Sequence, residues 1–305
     1  MPRPLDGLNA SQRAAVTHPG GPLLVVGGAG TGKTRVVVRR FAWLIERGLA
    51  PGAVLALACS APTAAAMRAC LEKIVERPYD ELWASTFEAF CARLLREEAL
   101  EAGLDPFFAP ASRADRVALL LDRVDALALR RHEIRGNPAP LVASFVRRID
   151  RLKEELAEAT DFRRHAEGLA AAADAEAARA HAERELEFAR VFAEHDRLLS
   201  ESGALDAGDL VLHAIRLLRE KPHVRERVGD RFRHVLVDEY EEANAAHDAL
   251  VGLLAGEQRN LTVAVDEDQA IRRAAAGARP NAAGLRRRYP DATIVRLRRR
   301  HRFGG

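Results

Sequence analysis

Residues 27 to 34 read Gly-Gly-Ala-Gly-Thr-Gly-Lys-Thr, a match to G-x-x-x-x-G-K-[ST] in which each residue type has a chemical task. Gly27, Gly28, Gly30 and Gly32, with Ala29 and Thr31 between them, would let successive backbone N–H groups converge on phosphate oxygens. Lys33 would reach the outer phosphates and the Thr34 hydroxyl would ligate Mg²⁺. The chain has only four lysines, Lys33, Lys73, Lys153 and Lys221, so arginine supplies nearly all its positive charge and Lys33 stands out. A second chemical pair, Asp238-Glu239, ends the apolar run HVLVD. There an aspartate can hold Mg²⁺ through water and a glutamate can polarise an attacking water. Near the N-terminus, Leu8-Asn9-x-x-Gln12-x-x-Ala15-Val16 offers an amide that can donate and accept together, as reading the N6/N7 edge of adenine requires. Taken alone, that segment is equally a helix cap.

These residues need elements to hold them. PLLVVGGAGTGKT passes from a β-branched run into glycines and then into helical periodicity from Arg35 to Arg47, which predicts strand, phosphate loop and helix. VLALACS (54 to 60) and LWASTF (82 to 87) repeat the strand signal, each before a helical stretch, and strands return at HVLVD, NLTVAVD and ATIVRL. Strands alternating with helices at this spacing predict a parallel sheet flanked by helices. From about Ser112 to Ser202 the strand signals stop, and apolar residues recur at three and four, as in Val117, Leu120, Leu121 and Val124. The expected fold is therefore α/β, interrupted by an all-helical insertion at 111–202 whose alanine-rich section is expected to be exposed and mobile. The α/β part is expected at 1–110 and 203–305.

The whole chain bounds the rest. Its 305 residues suggest two structural units, and 48% hydrophobic with 30% charged residues suffices for a sizeable core. No run of 18 apolar residues and no basic-then-apolar leader occurs, so the expectation is a cytoplasmic protein without a membrane segment. Three cysteines without C-x-x-C spacing argue against a disulfide framework or a zinc site. Between Arg279 and Arg302 the only acid is Asp291 among nine arginines, a stripe that suits a polyanion or a solvated face.

In their order along the chain, LNASQRAAV, GGAGTGKTR, VLALACSAPTAAAM, TFEAFCARLLRE, LDAGDL, VLVDEYEEAN, LTVAVDEDQAI and VRLRRRHRF resemble the N-terminal motor half of superfamily 1 DNA helicases of the UvrD/Rep type. The resemblance runs from Leu8 to Phe303 and implies a RecA-like P-loop NTPase domain (1A), with the helical insertion in the place of that family's 1B subdomain. It implies ATP and Mg²⁺ as ligands and DNA as partner, single-stranded or at a single-strand/duplex junction. It implies too that the second RecA-like domain is missing in cis, the chain stopping at RHRFGG as if cut, so the isolated chain is expected to turn ATP over poorly. By matched position, Gln12 reads adenine and Arg35 helps hold the nucleotide. Gln269 senses the terminal phosphate, Arg302 contacts it from the domain boundary, and His301 takes the place of the tyrosine that stacks on adenine. Ser60, Thr86, Phe87 and Arg272 fall on the strand-binding side.

That side departs from the family pattern. Where the family has T-F-T-N-K, this chain has Ala58-Cys59-Ser60-Ala61-Pro62, which loses a stacking aromatic and polar backbone contacts. Glu88 replaces a histidine, Ala207-Gly208 replaces Phe-Asp, and Arg272 replaces a tyrosine, although a guanidinium plane can also stack. The family's D-E-x-Q-D becomes Asp238-Glu239-Tyr240-Glu241-Glu242, and an ionised Glu241 would repel phosphate oxygens unless protonated or turned away. Two readings follow: the motor half of a DNA helicase, or a degenerate, non-translocating paralogue that uses ATP as a structural or switching ligand in a DNA-repair assembly.

Overall fold

The structure is a computed structural model and describes residues 3–75, 82–132, 136–269 and 281–298. In chain order its strands are β1 (Leu23–Gly27), β2 (Val54–Ala58), β3 (Trp83–Thr86), β4 (Ala109–Pro110), β5 (Ala204–Leu205), β6 (His234–Asp238), β7 (Leu261–Val265) and β8 (Thr293–Leu297). Six of them form one sheet in the order β3-β2-β6-β7-β1-β8, every neighbouring pair parallel. The four inner strands are buried at every position, as a parallel sheet covered on both faces demands. Edge strand β8 is mostly exposed and carries Arg296, a polar edge that discourages further pairing.

Register decides where chemistry can occur. Ala58 pairs with Asp238 and with Thr86, Val26 with Val265, and Gly27 with Leu297. The carboxyl ends of all six strands therefore lie along one edge, where open α/β sheets hold their ligands.

The helices follow from local signals. Asn9 and Gln12 form a reciprocal capping box at α1 (Ala10–Val16). The other end of α1 is held by the buried Arg40, whose guanidinium donates to the carbonyls of Ala15, Val16 and His18. Helix α2 (Lys33–Glu46) starts directly after Gly32, and α3 (Ala61–Ile74) starts at the Ser60 N-cap with Pro62 in its first turn. Val36, Val37 and Phe41 of α2 pack with Leu23, Val25, Val54, Ala56 and Leu236 of the sheet, all with 4% exposure or less. Each of the valine, leucine and phenylalanine side chains contributes about 1.5–3 kcal/mol on burial, so the phosphate-loop helix is fixed by its core face.

The chain divides into two compact units, 1–94 with 214–305, and 95–213. The second contains α5 (Ala99–Ala102), α6 (Arg113–Leu121), α7 (Ala139–Glu154), α8 (Ala159–Ala171) and α9 (Glu176–Glu201). The two-residue ladder β4–β5 joins its beginning to its end. Its core gathers Leu120, Phe145, Val146, Ile149, Phe162, Phe188 and Phe192. The alanine-rich run is helical on both sides of residues 172–175, and α9 buries Phe188, Val191, Phe192, His195, Leu198 and Leu199 along one face. That face is set by i, i+3/i+4 spacing, while the alanine-rich stretch before it, 167–181, is mostly exposed, as its composition leads one to expect.

This unit also carries a buried charge network. The Lys153 ammonium lies 2.6 Å from Asp209, 2.9 Å from Asp196 and 3.0 Å from Asp206. Arg116 pairs with Asp150 at 2.7 Å and Asp206 at 2.9 Å. Burial opposes the Lys153 charge, but its three carboxylates raise its pKa overall. A Cβ on Gly208 would fall 2.7 Å from Lys153 Cβ. The glycine in LDAGDL is thus the space the lysine stem occupies.

Candidate active site

The phosphate loop leaves β1 at Gly27 and closes on itself. The Thr31 hydroxyl donates to Gly28 O at 2.8 Å, and a Cβ on Gly27 would fall 2.4 Å from that hydroxyl oxygen. Gly32 has φ +86°, and a Cβ there would fall 2.7 Å from Gln12 Nε2; both positions demand glycine. Gln12 is fully buried, its Nε2 donating to Thr31 O at 3.0 Å and its Oε1 accepting from the Asn9 N–H at 3.2 Å. The structure therefore seats Gln12 against the loop as a brace. Arg35, one turn into α2, reaches back to Asp6 O at 3.4 Å.

Lys33 Nζ bonds to Gly27 O at 2.8 Å, to Gly28 O at 3.2 Å, and to Asp266 Oδ2 at 3.0 Å. Asp266 follows β7 directly and is 1% exposed. Burial pushes its carboxyl up, but the Lys33 bond and the Gln269 donors more than offset this and hold it below the ordinary value. Gln269 approaches from one turn on, its backbone N–H and its Nε2 donating to the two Asp266 oxygens at 3.2 and 3.3 Å. Sequence reasoning missed Asp266. Its signal was the strand NLTVAVD ending in an acid at the same edge as Asp238.

Asp238 and Glu239 close β6. Asp238 Oδ1 accepts from the Glu239 N–H at 3.0 Å, and Oδ2 is buried without a partner. Burial raises the Asp238 carboxyl above its ordinary value, the nearby Thr34 hydroxyl opposing. An orphaned buried carboxylate oxygen beside a threonine hydroxyl is the partial donor set Mg²⁺ uses, since that ion completes its octahedron with phosphate oxygens and water. Among the described residues no group of three His, Cys, Asp or Glu side chains could hold a metal unaided. Glu239 has φ +55°, rare for a residue with a side chain. Its Oε1 accepts from Thr63 Oγ1 at 2.7 Å and its Oε2 from Ser60 Oγ at 2.8 Å.

Glu241 braces the exits of β6 and β7, near enough to the loop for the Lys33 charge to act on it. It is 9% exposed and accepts the Asp266 backbone N–H through Oε2 at 2.9 Å. Burial raises its pKa, this hydrogen bond opposing. The side chain anchors the β7 exit to the β6 exit. Cys59, Ser60, Glu239, Glu241, Glu242 and Gln269 line a cavity of about 390 Å³. The Cys59 thiol is pushed well above the ordinary value, first by burial and then by Glu239 and other carboxylates, so it is a neutral wall.

The strand-binding positions are less uniform. The Thr86 hydroxyl accepts the Ala89 N–H at 3.2 Å, capping α4 (Phe87–Glu97). Phe87 is fully buried and stacks on the His247 ring, centroids 4.2 Å apart, so it presents no surface to a strand. His247 Nε2 lies 3.4 Å from Glu88 Oε1. Burial raises the Glu88 carboxyl, but His247, the Glu88 backbone N–H and Thr86 together more than compensate, and its pKa is lowered. The Glu88 side chain, 33% exposed, thus keeps the negative charge expected of it. Arg272, His301 and Arg302 lie outside the described residues.

Comparison with known proteins decides the lineage. The model of the UvrD/REP helicase N-terminal domain matches residues 8–278. The chain belongs to the UvrD/Rep helicase family. It is 36% identical over 309 residues to the ATP-dependent DNA helicase UvrD1 of Mycobacterium tuberculosis, and 32% identical over 301 residues to the ATP-dependent DNA helicase PcrA of Staphylococcus aureus. Each match covers 98% of this chain and 38% of the relative, so the chain spans well under half the length of these relatives. Within the UvrD/Rep frame, the substituted positions Cys59 and Glu241 wall the cavity, while Gly208 belongs to the charge network of unit 95–213.

Proposed function

We propose that this chain is the ATP-binding motor segment of a UvrD-like DNA helicase, coupling ATP hydrolysis to translocation on, or unwinding of, DNA. The observation that carries the reading is the meeting of Lys33 and Thr34 with Asp238, Glu239, Asp266 and Gln269 at one sheet edge. In this reading the sheet-bearing unit is the RecA-like domain 1A and unit 95–213 is the 1B insertion. Residues 27–32 cradle phosphates, Lys33 and Arg35 bind them, and Gln12, with His301, meets the adenine. Thr34 and Asp238 hold Mg²⁺, which when bound neutralises phosphate charge. Glu239 takes up the proton of the attacking water, and Gln269 and Arg302 sense the terminal phosphate. Ser60, Thr86 and Arg272 touch a DNA strand, single-stranded or at a junction, with Phe87 supporting from beneath. A second RecA-like domain would complete the site from the other side. No described helix is long and apolar enough to cross a membrane, and we place the enzyme in the cytoplasm.

The alternative, a non-translocating paralogue with ATP as a switching ligand, draws on two restraints: Lys33 is held by Asp266, and Glu239 by two hydroxyls. ATP hydrolysis by the natural full-length protein, with and without single-stranded DNA, separates the two. The motor requires strong DNA stimulation that Lys33→Ala abolishes. Tight nucleotide binding with no stimulation at any DNA concentration sinks the motor and leaves the switch.

A further inference from the structure

The Glu239 carboxylate is not aimed at the phosphate loop. Strand β6 lies between β2 and β7, and β1, which launches the loop, lies beyond β7. Both partners of the carboxylate, Ser60 and Thr63, follow β2 on the opposite flank. The left-handed backbone at Glu239 and the two hydroxyls together direct the side chain toward the first turn of α3. Two charge-assisted bonds at 2.7 and 2.8 Å occupy both carboxylate oxygens and compete with any water these oxygens would polarise.

We propose that Ser60 and Thr63 are positioning residues that latch Glu239 away from the attacking water, so that engaging the start of α3 releases it for hydrolysis. This rests on the reading of Glu239 as the water-polarising carboxylate. Ser60 is both the N-cap of α3 and a lining residue of the cavity. A strand that bonds to its hydroxyl withdraws one of the two donors. Thr63, one turn into the helix and half-buried, holds the second oxygen. The latch makes turnover depend on what α3 contacts, while nucleotide affinity, set at the β1 loop, stays separate.

Thr63→Val tests this with little loss of shape, because it removes the hydroxyl and keeps the branched side chain, whereas Ser60→Ala would also remove the helix cap. On the natural full-length protein with Mg-ATP, the expected result is a DNA-independent kcat raised about tenfold, the effect of removing one charge-assisted bond. KM stays unchanged and the ratio of DNA-stimulated to basal rate falls. Thr63→Ser, which keeps the donor, should bring the basal rate back toward the parental value. A merely structural threonine would lower both rates in Thr63→Val, and that outcome, or an unchanged basal rate, overturns the latch. Glu239→Gln is the companion measurement. If it retains full turnover, the reading of Glu239 itself falls; if it is inactive while Thr63→Val shows no basal gain, the latch alone falls.

Discussion

Asp266→Asn should tighten nucleotide binding in the absence of Mg²⁺, because Asp266 holds the lysine that phosphates need. The pair is 3.0 Å apart, with Lys33 12% and Asp266 1% exposed. At an effective dielectric of about 20 the gross attraction at this distance is ~5 kcal/mol, most of it returned as desolvation. The net quantity is better taken from hydrogen-bond strengths: ~1.5–3 kcal/mol for a bond between charged partners against ~0.5–1.5 for a neutral acceptor. The asparagine therefore loosens Lys33 by ~1–1.5 kcal/mol, which appears as ADP binding about five- to tenfold tighter. The same change leaves the ammonium less compensated, so the ligand-free variant should melt at lower temperature. Isothermal titration of ADP in EDTA measures the affinity, since without Mg²⁺ any tie between Asp266 and the metal shell is silent. In a Lys33→Ala background the gain must vanish, a double-mutant cycle that assigns it to the pair. Equal or weaker Mg-free ADP binding by Asp266→Asn would refute the argument that Asp266 competes for Lys33.

Two further expectations follow from positions where the family pattern is broken. Glu241 has its pKa raised by burial; the parent therefore loses stability as pH rises from the ordinary glutamate value through the raised one. Glu241→Gln should be more stable at neutral pH, with the difference vanishing in acid, by urea unfolding at several pH values. Because its oxygen faces the Asp266 N–H, turnover should change by less than about twofold, ~0.4 kcal/mol in barrier; a large rise would show that its charge acts on the phosphates. Gly208→Ala should destabilise by ~1–2 kcal/mol, since overpacking costs ~1–3 kcal/mol and exceeds the helix gain of at most ~1. The clash is with Lys153, which three carboxylates pin in place. Gly168→Ala in α8, with open space around its Cβ, should instead stabilise by ~0.5–1 kcal/mol, so denaturation midpoints of the two variants should move oppositely.

Local patterns made the sheet legible. β-branched runs ending in glycine or acid marked β1, β6 and β7, and their shared edge follows from parallel pairing. The phosphate loop was legible because its glycines are a backbone requirement. What the sequence concealed is where side chains turn. Glu241 reads as a charge facing phosphate, yet bonds to a backbone N–H across the β6–β7 gap. Phe87 reads as a strand contact, yet stacks on His247, a partner far along the chain that no local pattern indicates. Thr63 carried no signal at all, since a hydroxyl in a helix's first turn usually serves the helix itself. The Lys153 network was hidden for a related reason: its members come from α6, α7, α9 and the LDAGDL segment, each ordinary in its own surroundings.

The strand order has a kinetic consequence. Ser60 and Glu239 are 179 positions apart and Lys33 and Asp266 are 233 apart, so the side-chain bonds that tie one strand end to another along this edge are far from local. Contacts of such separation form late, because the loop-closure entropy is lost before they stabilise anything. The intervening unit 95–213 has its own aromatic core, built largely from helices next to one another in sequence. Once folded, it shortens the span that β2 and β6 must bridge. The insertion is then a staple in the folding route, and damage to its core would delay assembly of the candidate site without touching a single residue on it.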